Sequence, residues 1–230
     1  KINKHLPKTK VRAMLANIIP HERSFFDRTL INLLFKYIDG FIVMSDQVKE
    51  ELLLIKPDSI YKKLFHPIIP KHQLYTKQEA KDKLGIKEKK IILFFGFIRG
   101  YKGLDTLIKS NKYLERNLKD YRIIICGECY ENANKYSSMI SEFSSNNEIT
   151  WINKYISEEL SSMYFSASDV VVLPYNKASQ SGVIPLSYSH ERPVIASNIS
   201  GISQMVAHEK TGFLFEKNNE RELSDTILMF

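Results

Sequence analysis

Four short apolar runs, at residues 91–95, 121–126, 149–152 and 169–173, stand between segments with helical spacing. The last carries Val170, Val171 and Val172 in succession. An unbroken run of that kind belongs to a strand buried on both faces, as in a parallel sheet. Between the runs, Leu104, Leu107, Ile108 and Leu114 share one helical face, as do Tyr136, Met139, Ile140 and Phe143. Ser157 predicts an N-cap, with Glu158 and Glu159 in the first turn, where carboxylates suit the helix dipole. The pattern continues with a helix over 183–191, a strand over 193–196 and a short helix over 202–208. A strand over 213–215 and a helix from Glu220 complete it. Parallel strands joined by helical crossovers form an open, doubly wound α/β sheet. Ligands of such sheets lie past the carboxyl ends of the strands, which directs attention to the loops there.

Residues 1–66 follow a shorter pattern: a strand over 11–15, an amphipathic helix over 25–38, a strand over 40–44 and a helix over 47–55. Two strands make a poor sheet, so this stretch predicts part of a second Rossmann-like domain. Two prolines, Pro67 and Pro70, mark the boundary. The expected organisation is a partial domain over 1–66, a hinge over 67–88 and a larger domain over 89–230. No apolar run approaches the ~20 residues of a membrane span.

The net charge is +7. Residues 1–70 carry 12 basic and 7 acidic side chains, so most of the excess lies at the amino end, led by Lys1, Lys4, Lys8, Lys10 and Arg12. Such an end suits a phosphorylated lipid, an anionic membrane surface or nucleic acid, or is a solvated face. The two cysteines, Cys126 and Cys129, exclude a four-thiolate zinc site. A thioredoxin-like pair needs its first thiol at a helix start, and Cys126 instead ends a strand run. Two cysteines in 230 residues suit a reducing compartment.

Two loops carry the chemistry. The first, residues 96–103, holds Gly96, Phe97, Arg99, Lys102 and Gly103 directly after a strand. Its glycines let the backbone turn sharply, and its two cations suit a diphosphate, Arg by forking onto two oxygens and Lys as a point charge. It matches neither Gly-x-Gly-x-x-Gly nor a Walker loop, which argues against a dinucleotide-dependent oxidoreductase. The second loop, residues 176–182, holds Asn176, Ser179, Gln180, Ser181 and Gly182 just ahead of a helix starting near Val183, where anions bind and where serines also serve as plain caps. Together, on adjacent strand ends, the loops describe a diphosphate held between cations and a helix start. That arrangement would stabilise a departing nucleoside diphosphate. Among the histidines, His21 lies just past a predicted strand and His66 in the hinge. His190 and His208 fall on helices, and no pair has zinc-protease spacing.

These residues resemble a known family. The 96–103 loop followed by Leu104 and Asp105, the 169–175 strand, Ser181-Gly182 and Pro193-Val194-Ile195-Ala196 are similar to the carboxyl-terminal domain of retaining GT-B glycosyltransferases, family 4 above all. Ile125-Cys126-Gly127-Glu128 and His208-Glu209-Lys210-Thr211-Gly212-Phe213 look like further segments of that pattern. Asn17-Ile18-Ile19-Pro20-His21-Glu22 and Phe65-His66-Pro67 resemble its amino-domain and hinge elements. The resemblance implies an enzyme that moves a sugar from a nucleotide-sugar to a glycan or lipid-linked acceptor, in bacterial surface polysaccharide or glycolipid synthesis. It places the chain in the cytoplasm or on the cytoplasmic membrane face, without nucleic acid. Arg99 and Lys102 would neutralise the donor diphosphate, so no metal or other cofactor is implied. Gly96, Phe97, Gly103 and the 179–183 loop would complete the donor pocket, with the base near Tyr155 and Ile156 and His21 on the acceptor side.

One departure stands out. Many family members carry two glutamates around the helix after the second loop, and those places hold Ala178 and Leu186, or Ser179 and Ser187 one residue on. A non-catalytic sugar-nucleotide-binding protein of the same fold is the alternative. A complete chain of this kind needs two domains of ordinary size. The expectation is therefore that the first half of the acceptor domain and a short carboxyl-terminal tail lie outside these 230 residues.

Overall fold

A computed structural model describes residues 9–19, 27–68 and 75–230. The larger domain is a six-stranded parallel sheet of strands β4 (Lys90–Phe95), β5 (Tyr121–Cys126), β6 (Ile149–Ile152), β7 (Val170–Leu173), β8 (Val194–Ser197) and β9 (Gly212–Phe215). The strand order is β6-β5-β4-β7-β8-β9. Helices α4 (Leu104–Asn117), α5 (Ala133–Phe143), α6 (Glu158–Ala167), α7 (Val183–Ser189) and α8 (Ser200–Ser203) supply the crossovers, and α9 (Glu220–Leu228) follows the last strand. This is the doubly wound α/β sheet the apolar runs predict.

Its burial follows from the pleat. Ile92, Phe94, Ile123, Ile125, Val170 and Val172 face one core, and Ile91, Leu93, Ile124, Val171 and Leu173 face another. Successive strand side chains point to opposite faces, so a run apolar at every position fills both. Ser157 does cap α6, its hydroxyl accepting from the Leu160 N–H. The helix expected over 202–208 is confined to 200–203. Glu209 takes a φ of 62° and the Thr211 hydroxyl accepts from the Ala207 N–H, so this stretch turns back towards β9.

The smaller sheet holds β1 (Arg12–Leu15), β2 (Gly40–Val43) and β3 (Tyr61–Lys63), all parallel, with α1 (Asp27–Phe35) and α2 (Asp46–Ile55) between them. The sequence pattern does not anticipate β3, because all three of its residues are exposed. Nor does it anticipate α3 (Lys77–Leu84), which lies inside the expected hinge. A Thr76–Glu79 capping box starts α3 and Gly85 ends it in the left-handed region. Lys77 pairs with Asp169, which also accepts from the Ile91 N–H at 2.7 Å. These bonds tie the segment to the start of the central strands.

The two sheets meet across a cleft of about 530 Å³ lined by Met44, Lys63, His66, Ile184 and Tyr188 among others. One bond across it runs from the Asp46 N–H to Gln204 Oε1, at 3.1 Å. Among the described residues no helix is long and apolar enough to cross a membrane.

Candidate functional site

Strand order fixes where the larger domain can hold a ligand. From β4 the chain winds through β5 and β6 to one edge; from β7 it winds through β8 and β9 to the other. The crevice opens at the carboxyl ends of β4 and β7, which pair directly through Ile92–Val170 and Leu93–Val171. The two loops singled out from the sequence leave these two ends.

Those loops are knitted together. After β4 the backbone reverses at Gly96 (φ 105°) and closes a 3-10 turn over Gly100–Lys102, ending at Gly103 (φ 62°). The Tyr101 carbonyl accepts from the Asn176 N–H at 2.7 Å. A Cβ on Gly103 would lie 1.9 Å from the Pro174 carbonyl oxygen, so no other residue allows this approach. The 174–182 loop is in turn backed by the start of α8: a Cβ on Gly201 would lie 2.2 Å from the Ala178 carbonyl oxygen.

Lys102 is the unusual group. Its side chain runs back under the turn and is 9% exposed. The ammonium lies beside Gly96, where a Cβ would sit 2.8 Å away, and 5.6 Å from the Tyr175 ring centroid. Burial, reinforced by the Arg99 charge, pulls its pKa from 10.5 to about 8. Among the described residues no carboxylate pairs with it. A buried cation without an anion is costly, and an incoming anion would relieve that cost. Arg99 precedes the turn, its guanidinium 5.2 Å from the Tyr130 ring centroid. Phe97 is half exposed and meets the same ring edge-on at 5.1 Å.

In the second loop the serines divide. The Ser181 hydroxyl accepts from the Val183 N–H at 3.2 Å and serves as a cap. It also shares a hydrogen bond with the buried Tyr175 hydroxyl, whose pKa burial pushes up. Ser179 does not cap. Its Oγ, Gln180 Oε1, Asn176 Oδ1 and, at the end of β8, Ser197 Oγ are buried without a hydrogen-bond partner among the described residues. A cluster of orphaned acceptors is rare, because each costs about 1–3 kcal/mol. Gly182 is exposed at the start of α7, and His66 approaches it from the hinge, its Nε2 3.9 Å from where a Cβ would sit.

The remaining expectations fall elsewhere. Tyr155 is 70% exposed past the end of β6, at the sheet edge, whereas Ile156 turns inward to the core beside Cys126 and Phe165. His21 lies outside the described residues. Ser187, one residue past Leu186 on α7, is fully buried and donates from its hydroxyl to the Val183 carbonyl. Cys126 ends β5 with its thiol pKa pushed up by burial, and both thiols are free; neither has the environment of a redox pair. His190 is buried between Ser162 and Ser189 and stacks on Phe165, a packing role. Asn176 opens the loop that the sequence singles out, whereas Tyr130 and Ser197 carry no local sequence signal and were not anticipated.

Residues 76–230 match the family described as glycosyl transferases group 1. An uncharacterized glycosyltransferase of Haemophilus influenzae is 33% identical over 149 residues, covering 62% of this chain and 40% of that protein. The capsular polysaccharide biosynthesis glycosyltransferase CapM of Staphylococcus aureus is 25% identical over 137 residues, covering 60% of this chain and 35% of that protein. The chain thus spans well under half of either curated relative. Among solved structures, Anabaena HepE in complex with UDP and glucose superposes with a TM-score of 0.81 at 17% identity, covering 99% of this chain and 63% of that one. The shared arrangement is the GT-B fold.

Proposed function

The chain belongs to the group 1 glycosyl transferases, and we propose that its larger domain is the donor-holding half of a retaining enzyme of family 4. The donor is a nucleoside diphosphate sugar, and the sugar passes to a glycan or lipid-linked acceptor in bacterial surface polysaccharide or glycolipid synthesis. HepE is described with UDP and glucose, and CapM as a capsular polysaccharide enzyme; both support this reading.

The observation that carries it is the buried Lys102 ammonium beside Arg99 at the mouth of the β4–β7 crevice. As the sugar departs, negative charge grows on the outer phosphate. Two cations fixed in advance lower the energy of that state without any reorganisation at the moment of reaction. Gln180 Oε1, which only accepts, suits a sugar hydroxyl, and Ser179 Oγ, which both donates and accepts, suits either a sugar hydroxyl or a phosphate oxygen. Gly96, Phe97, Gly103, Ser181, Gly182 and Val183 shape the pocket. Tyr155, exposed past the end of β6, stands towards the base, and His21 belongs to the acceptor side. The cations do the work a metal would otherwise do. The basic amino end faces the phosphorylated acceptor at the cytoplasmic membrane surface.

The test is calorimetry with UDP, GDP and ADP and their sugars, beside an assay of donor hydrolysis. Arg99→Ala and Lys102→Ala are each expected to lower turnover by orders of magnitude with the fold intact. Near-normal turnover in both variants contradicts the assignment. A second reading, non-catalytic nucleotide-sugar binding, is favoured by the missing glutamates and by Ser187 pointing into the helix. It predicts tight binding with no turnover when the full-length protein and an acceptor are present.

A further inference from the structure

The loop that follows β5 lies against the turn bearing Arg99 and Lys102, and nothing described so far uses it. Its approach is exceptionally close. Gly127 takes a φ of 147°, and a Cβ there would lie 2.2 Å from the Gly96 carbonyl oxygen. Parallel pairing then continues beyond the ends of β4 and β5. The Ile98 N–H donates to the Glu128 carbonyl at 2.9 Å, and the Tyr130 N–H donates to the Ile98 carbonyl at 3.1 Å. This extra step of sheet puts two side chains against the cation turn. The Tyr130 ring supports the Arg99 guanidinium and meets Phe97 edge-on. The Glu131 carboxylate accepts from the Gly100 N–H and, at 3.2 Å, from the Tyr136 hydroxyl.

Each contact has a physical consequence for Arg99. A free arginine side chain has about 2 kcal/mol of rotamer entropy to lose on binding an anion. A guanidinium already resting on an aromatic face has given up part of that freedom in advance. A charged acceptor on the Gly100 N–H makes one of the stronger bonds available to a backbone, and it fixes the residue immediately after Arg99. Tyr130 and Glu131 are themselves exposed, so neither is placed by its own burial; Glu131 meets the core through the Tyr136 hydroxyl and the cation turn through Gly100.

We propose that Tyr130 and Glu131 are positioning residues that hold Arg99 oriented towards the donor diphosphate before the donor arrives. The proposal rests on the reading of Arg99 and Lys102 as the diphosphate site. Its prediction is specific: losing the support weakens recognition of the outer phosphate and leaves the rest of the nucleotide unaffected.

The experiment is calorimetry on the whole chain with UDP, GDP and ADP, and with the monophosphate of whichever binds most tightly. Glu131→Ala and Tyr130→Leu are expected to weaken diphosphate binding by about tenfold and to leave monophosphate binding within about twofold. Glu131→Gln keeps a carbonyl acceptor for the Gly100 N–H and is expected to recover most of the loss. In an Arg99→Ala background, Glu131→Ala is expected to add nothing, because both changes act through one group. Equal losses for diphosphate and monophosphate, additivity with Arg99→Ala, or no loss at all overturns the proposal. If Arg99→Ala weakens diphosphate binding while the loop variants do not, this proposal alone fails. If Arg99→Ala leaves binding unchanged, or none of the three diphosphates binds, the diphosphate reading fails and the proposal with it.

Discussion

The Lys102 ammonium occupies the space a side chain at residue 96 would need: a Cβ on Gly96 would sit 2.8 Å from Nζ. Gly96 also has a φ of 105°, a conformation that residues with a Cβ rarely adopt. Glycine at 96 therefore does two things. It turns the chain out of β4 and leaves room for a cation at the strand end.

Gly96→Ala is expected to strain the backbone by about 1–3 kcal/mol and to push the ammonium out of place. Chemical denaturation should report the first effect. Calorimetry with UDP should report the second, as a loss exceeding about tenfold. A variant of lower stability that binds UDP normally would place the ammonium's function elsewhere.

Lys102→Met is expected to separate stability from binding. The fall in pKa from 10.5 to about 8 is a measure of what the buried charge costs the folded chain. At about 1.4 kcal/mol per pKa unit, that cost is on the order of 3 kcal/mol. Removing the charge on a side chain of similar length should raise the melting temperature at pH 7 while weakening diphosphate binding by more than about tenfold. A destabilised variant would mean that the ammonium has a stabilising partner in the folded chain.

The same lysine sets a pH dependence. Above about pH 8 the folded chain sheds this proton, whereas the unfolded chain keeps it to 10.5. The unfolded state then binds more protons, so the contribution of Lys102 to stability rises between those values and is lower below them. Binding runs the other way. A bound diphosphate favours the ammonium, so UDP affinity should fall as pH rises above about 8, by up to about tenfold per unit. Lys102→Met should lack that limb. Calorimetry in buffers of different ionisation enthalpy should also register proton uptake on binding in this range, and no uptake would contradict the picture.

The strands of the larger domain were legible because their signal is local. Val170 to Val172 and Ile123 to Cys126 are apolar at every position, and a sheet buried on both faces requires that. β3 was not legible, because Tyr61, Lys62 and Lys63 stand at an exposed edge where no apolar pattern is needed. For α3 a signal existed in the Thr76–Glu79 capping box and Gly85, but Ala80 and Leu84 are its sole apolar residues and leave no periodicity to read. The site divides in the same way. Arg99 and Lys102 follow a strand within one glycine-rich loop, so their chemistry is local. Tyr130 and Glu131 meet that loop from another strand end, brought there by the close approach of Gly127 to Gly96, and no short-range pattern encodes such a meeting. The burial of Ile156 beside an exposed Tyr155 likewise depends on how the 153–157 loop folds over the edge of the sheet.

In the proposed function the crevice between β4 and β7 holds a diphosphate against Lys102 and Arg99. The most direct measurement is a crystal structure of the chain grown with UDP or whichever diphosphate binds most tightly. The account predicts phosphate oxygens about 3 Å from Lys102 Nζ and from the Arg99 guanidinium, with Ser179 and Gln180 facing the space beyond the outer phosphate. A nucleotide bound elsewhere, or one whose phosphates turn away from both cations, would contradict it.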